Sequence, residues 1–171
     1  EGILAMVCDS TNVFEDGEAG SEGMAREALR RAVAEQTGRV AITSFASNVA
    51  RVQSACEAAR ANDRSVCLVG RSMFRIVGAA QSVGLLKGFE FISPEDAADL
   101  PGHHVLYLCT GSQGEPNAAL ARIARGDHPS VKLGADDTVI FSSRVIPGNE
   151  RAIGEIQNTL AERNIKLVTA R

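Results

Sequence analysis

The 171-residue chain sets 18 Lys and Arg against 21 Asp and Glu, for a formal charge of -3. That balance excludes a global basic field able to hold nucleic acid by counterion release, so an RNA or DNA ligand would have to be gripped by local loops. With 44% apolar residues and no apolar run of membrane-spanning length, the composition also excludes a disordered chain and a transmembrane helix.

Taken in chain order, short apolar runs at residues 3–8, 39–45, 65–69, 104–109, 137–141 and 165–169 predict strands, with a minor one over 89–92. Their hydrophobicity is nearly continuous rather than alternating, as in strands buried on both faces. Between them, helical periodicity covers 21–36, 48–62, 72–83, 115–125 and 149–163, with a short helix opened by Ser93-Pro94-Glu95-Asp96. Ser21, Ser47 and Asn149 stand where helix N-caps belong, and Pro116 suits a first helical turn. Residues 126–136 read as a surface connection. The alternation predicts a three-layer α/β/α sandwich around a mainly parallel, doubly wound sheet.

One domain over residues 1–171 is expected, because nothing in the apolar spread divides the chain. It starts at Glu1 directly on a strand-like run, without methionine, and reads as a piece cut from a longer polypeptide. Cys8, Cys56, Cys67 and Cys109 form no CxxC pair and lie mostly in apolar runs, which predicts reduced, packed thiols in a soluble cytoplasmic protein.

Five polar or glycine-rich segments each follow an apolar run: residues 8–12, 44–48, 70–73, 110–116 and 142–150. Loops at the carboxyl ends of parallel strands are where open α/β sheets bind ligands. Asp9, with Ser10, Thr11 and Asn12, suits a metal or a phosphate, or is a turn cap. Glu22 would sit in a first helical turn, where the dipole favours its charge. Ser44, Ser47 and Asn48 frame a turn whose hydroxyls and N–H groups would converge on phosphate, or in which Ser47 merely caps. Arg71 and Arg75 share a helix face near a loop mouth, where either could meet a phosphate. Ser112, Gln113 and Glu115, between Gly111 and Gly114, form the most ligand-like loop, because two glycines allow close backbone approach. His103, His104 and His128 have no metal-ligand spacing.

In this order CDSTN, GSEG, SFASN, GRSM, CTGSQGEP and SSRVIPGNE resemble the β-CASP region of bacterial ribonuclease J, within the metallo-β-lactamase superfamily, from Gly2 to about Val168. The resemblance implies a β-CASP domain inserted into a metallo-β-lactamase domain, with the active site and RNA channel at their junction. It implies a dinuclear centre, usually two Zn2+ and otherwise Mn2+ or Mg2+, whose hydroxide attacks an RNA phosphodiester in 5'-to-3' exonucleolytic or endonucleolytic cleavage. By the same resemblance, Asp9 matches a metal ligand and Glu22 an acidic residue behind the metal site. Ser44 and Ser47 match serines of a pocket for the RNA 5' monophosphate. Ser112, Gln113 and Glu115 match a loop facing the RNA channel, and Asn149 and Glu150 lie in a similarly placed loop.

The partners implied are 5'-monophosphorylated single-stranded RNA, the parent's own metallo-β-lactamase domain and further copies of the parent, in cytoplasmic rRNA processing and mRNA decay, with no membrane. The family's HxHxDH motif is absent, and Asp9 alone cannot hold two metal ions. This piece is therefore expected to be catalytically silent and to bind no metal by itself. Two other classes compete: a nucleotide- or phosphate-binding regulatory α/β module, which lacks the supporting GxGxxG after the first run, and a non-catalytic interaction domain.

Overall fold

The computed structural model describes residues 2–8, 16 and 20–169. Within them six helices and six strands alternate: α1 (Glu22–Ala34), β1 (Val40–Thr43), α2 (Val49–Arg60), β2 (Ser65–Val69), α3 (Arg71–Ser82), β3 (Phe91–Ile92), α4 (Pro94–Asp99), β4 (Val105–Cys109), α5 (Ala119–Arg125), β5 (Thr138–Phe141), α6 (Glu150–Glu162) and β6 (Lys166–Thr169). The strands form one sheet in the order β3-β2-β4-β1-β5-β6, and every pairing is parallel.

Side chains alternate across that sheet into two separate cores. Leu106 and Leu108 of β4 join Val40, Ile42, Val66 and Leu68 beneath α1, α2 and α3, against Leu29, Val33, Val52, Met73 and Val77. Val105, Tyr107 and Cys109 of the same strand point the other way, to Leu120, Ile123, Ile153 and Leu160 of α5 and α6 and Ala97 of α4. Both faces of the central strands are thus covered, which is why their sequences are apolar throughout. Burial pushes the Cys56 and Cys109 thiols up to about 12 and Cys67 to about 11, as expected for packed, unreactive cysteines. No helix among the described residues is long and apolar enough to cross a membrane.

Several expectations need correction. Residues 2–8 form no strand, and Ile3, Leu4, Met6 and Val7 are 80% exposed or more. An all-apolar strand needs partners and cover on both faces, and none of the six strands pairs with residues 2–8. Helix α5 begins at Ala119 rather than 115, because the backbone from Thr110 onward turns tightly enough for Leu120 N–H to reach Thr110 O at 2.9 Å. Asn48, not Ser47, caps α2, accepting from Arg51 N–H. Asn149 stands at the N-cap of α6 without a capping bond, while Glu150 accepts from Gly148 N–H. The connection 126–136 is pinned from below by Val131 and Leu133, both buried in the second core. Ser21 caps α1 and a short helix opens at Ser93 as expected, the latter through a capping box between Ser93 and Asp96.

Candidate functional site

Leaving β1 the chain runs to β2 on one side of the sheet, while leaving β4 it runs to β5 on the other, and β1 and β4 are neighbours. Such a reversal opens a crevice at the carboxyl edge, where ligands of open α/β sheets sit. The loops after β1, β2, β4 and β5 all emerge at that edge. The fifth predicted segment does not enter this picture, because Asp9 and residues 10–12 lie outside the described residues.

At the reversal point Ser44 is 2% exposed, its N–H donating to Cys109 O at 3.3 Å, and its hydroxyl has no hydrogen-bond partner among the described residues. A buried hydroxyl left unpaired is costly and rare in folded proteins. Ser47 and Asn48 lie at the surface, and the Asn48 carbonyl oxygen is occupied in capping α2.

Glu22 holds a neighbouring cation. Its carboxylate accepts from Arg51 Nε at 2.9 Å and from Ser54 Oγ at 2.8 Å, while Arg51 Nη1 donates to Ser142 O at 2.7 Å and to Ser142 Oγ at 3.0 Å. This network ties α1 and α2 to the loop after β5. Burial pushes the Glu22 carboxyl upward, but the hydrogen bonds from Arg51 and Ser54 and the charges of Arg51 and Arg26 outweigh it, leaving the group below its ordinary 4.5. A depressed carboxyl stabilises the fold above its unfolded value and loses that contribution as pH falls through the folded one. Glu22→Gln is therefore expected to cost about 1 kcal/mol at neutral pH, and the gap should close below pH 4.5. Urea midpoints of both proteins across that range check this; a gap independent of pH would refute it.

Gln113 lies 6% exposed between two loops. Its Nε2 donates to Arg144 O at 2.8 Å and to Ser143 Oγ at 3.4 Å, and its Oε1 accepts from Ile146 N–H at 2.9 Å and from Asn149 Nδ2 at 3.3 Å. The amide is saturated, so Gln113 clamps the 142–149 loop rather than offering free donors to a ligand. Its own N–H donates to Glu115 Oε2 at 3.0 Å. Ser112, 3% exposed, lines a cavity of about 250 Å3 together with Arg144 and Val145. The two glycines of this loop serve packing. At Gly111 (φ 111°) a Cβ would lie 2.9 Å from Leu120 Cβ, and at Gly114 (φ 81°) 2.6 Å from Ala152 Cβ.

Arg71 and Arg75 line a second cavity, of about 500 Å3, between the loops after β2 and β4, with Gly70, Ser72, Thr110 and Glu115. No group of three or more His, Cys, Asp or Glu side chains that could hold a metal ion exists among the described residues. The histidines hold turns: His104 Nδ1 is 2.8 Å from Asp63 O, and His128 Nδ1 accepts from the N–H groups of Ser130 and Val131. The described residues therefore do not fit a dinuclear metal centre.

Arg51 was not predicted. A signal existed, since a cation in the first turn of a helix opposes the dipole and calls for a compensating partner.

Residues 37–160 match the family model described as "Ribonuclease J, beta-CASP domain". The chain is 48% identical over 170 residues to Ribonuclease J of Sinorhizobium meliloti, covering 99% of this chain and 30% of that protein. It is 43% identical to Ribonuclease J of Corynebacterium glutamicum, over 100% of this chain and 24% of the relative. Against Ribonuclease J of Thermus thermophilus the identity is 40%, over 94% of this chain and 28% of the relative. The chain thus spans less than a third of the length of these relatives.

Proposed function

Because the chain belongs to the ribonuclease J family and carries its β-CASP domain, we propose that the carboxyl edge of its sheet is the RNA-binding wall of a metal-dependent ribonuclease. The observation that carries this reading is the convergence of four polar loops on the reversal point between β1 and β4. Phosphate suits that point. Ser44 supplies a hydroxyl with no partner among the described residues, and Ser47 a second at the surface of the same turn. Hydroxyl and N–H donors bind a phosphate without net positive charge, as the chain's overall balance requires.

The other groups act through position. Gln113 and the Glu22–Arg51–Ser142 network hold the 142–149 loop beside the 110–116 loop, so that the wall keeps its shape when a strand docks. Asp9 is the metal ligand this chain would contribute, the remaining donors coming from outside these residues. Residues 1–171 alone are accordingly a binding wall that does not cleave.

In the full-length ribonuclease containing this chain, 5'-monophosphorylated oligoribonucleotides should bind more tightly than their 5'-hydroxyl counterparts. Ser44→Ala should reduce that preference about tenfold, which corresponds to roughly 1.4 kcal/mol. Equal affinity for the two 5' ends in the unsubstituted protein, or an unchanged preference in the variant, would remove Ser44 from the phosphate site.

A further inference from the structure

We infer that the solvent face of α3 is a second RNA subsite, in which Arg71 and Arg75 hold backbone phosphates of a single strand and Phe74 stacks one of its bases. The inference rests on the RNA-binding reading above and adds to it a site away from the Ser44 turn.

Three observations meet there. Arg71 and Arg75, four residues apart, lie on one helix face and line the cavity of about 500 Å3 at the carboxyl edge. Among the described residues neither forms a salt bridge or side-chain hydrogen bond, whereas Arg51 at the same edge is paired with Glu22. Glu115, the acid lining the cavity, accepts from Gln113 N–H instead of either guanidinium. Phe74, between the two arginines in sequence, is 51% exposed on the outer side of α3, while Met73 and Val77 fill the core side.

One turn beyond the ring stands Gly78, at a mid-helix position with nothing within 4 Å of where a Cβ would be. A glycine there weakens the helix and serves neither packing nor a positive φ. Its effect is to leave the surface beside Phe74 bare. Guanidinium groups flanking an exposed aromatic ring form the combination that binds single-stranded nucleic acid, charge tracking the backbone and the ring taking a base face. Inorganic phosphate would use the arginines but not the ring. Thr110 connects this site to the rest of the edge: a Cβ at Gly70 would stand 2.5 Å from its Oγ1, so the loops after β2 and β4 are in contact.

The test measures binding of a short 5'-hydroxyl oligouridylate, 2'-O-methylated to slow cleavage, to the full-length ribonuclease containing this chain. A 5'-hydroxyl end removes the phosphate that the Ser44 turn would read. Phe74→Ala is expected to weaken binding about tenfold, with Phe74→Trp retaining it. Combined Arg71→Gln and Arg75→Gln should make the log–log salt dependence shallower by about 1.4, or about 0.7 for each phosphate no longer neutralised. All three side chains are exposed, so folding should not confound the result. If the unsubstituted protein binds and the variants match it in affinity and salt slope, the subsite is refuted while the RNA-binding reading stands. If the unsubstituted protein binds the 5'-monophosphorylated form of the same oligonucleotide but not the 5'-hydroxyl form, the subsite is refuted while the Ser44 reading stands; if it binds neither, both fall. Displacement of the oligonucleotide by inorganic phosphate, with no effect of Phe74→Ala, would replace the RNA subsite with a simple anion site.

Discussion

Arg64→Ala is expected to destabilise the protein by about 3 kcal/mol, read as a lower urea midpoint at unchanged slope. Arg64 is 6% exposed and has no carboxylate partner among the described residues. Its guanidinium donates to backbone carbonyls: Nη1 to Gly38 O at 2.8 Å, Val105 O at 3.2 Å and, at 3.5 Å, Gly102 O, and Nη2 to Gln36 O at 2.6 Å. Those carbonyls belong to the approaches to β1 and β4, and Arg64 itself immediately precedes β2, so one side chain joins the amino ends of three central strands. Burial pulls its pKa down, yet an arginine stays protonated throughout the accessible range. Truncation leaves the buried carbonyls of Gln36, Gly38 and Val105 in a dry region, each costing roughly 1–3 kcal/mol if no water enters. Arg64→Lys should fall between the two, since an ammonium cannot span the same acceptors. A loss below about 1 kcal/mol for the alanine variant would show that water replaces the guanidinium and that the staple is dispensable.

Gly114→Ala should cost a comparable amount, about 3 kcal/mol, for a different reason. The residue has φ of 81°, and an added Cβ would lie 2.6 Å from Ala152 Cβ, 2.7 Å from Ala152 C and 2.8 Å from Ile153 N. Two of those atoms are helix backbone, so no side chain can swing aside; α6 itself must shift. Ile153 is a core residue, and any shift of the first turns of α6 disturbs it. The Gln113 clamp on the 142–149 loop would loosen with it, so the variant should also show faster amide exchange at Ile146. A thermal or urea midpoint equal to that of the unsubstituted protein would mean that the close approach carries no energetic weight.

Most of the architecture was legible in the sequence because its signals are local. Near-continuous apolar runs such as Val40-Ala41-Ile42-Thr43 and Val105 to Cys109 announce strands covered on both faces, and the helices between them announce parallel connections. The exception is instructive. Residues 3–8 carry the same signal yet lie exposed, because periodicity records that a segment suits a buried strand and not whether a neighbour covers it. Boundaries moved where tertiary bonds overrode propensity, as when the Leu120 N–H bond to Thr110 O delayed the start of α5 past Pro116.

The candidate site divides along the same line. Its position was determined by the sequence alone: polar loops after apolar runs can only lie at the carboxyl edge of a parallel sheet, and the motif order identifies the family that the comparisons then show. What each side chain does there was decided only by tertiary contacts. Gln113 was expected to face a ligand and is spent on the adjoining loop, and Gly111 and Gly114 admit helices where backbone approach to a ligand was anticipated. Glu22 found its partner in Arg51, 29 residues away. Chain order carries no information about such pairings, since they depend on which loops the strand order sets side by side. The sequence determined where ligand chemistry could stand; the packing of β4 beside β1, and of α6 against the loop after β4, decided which groups remain free to perform it.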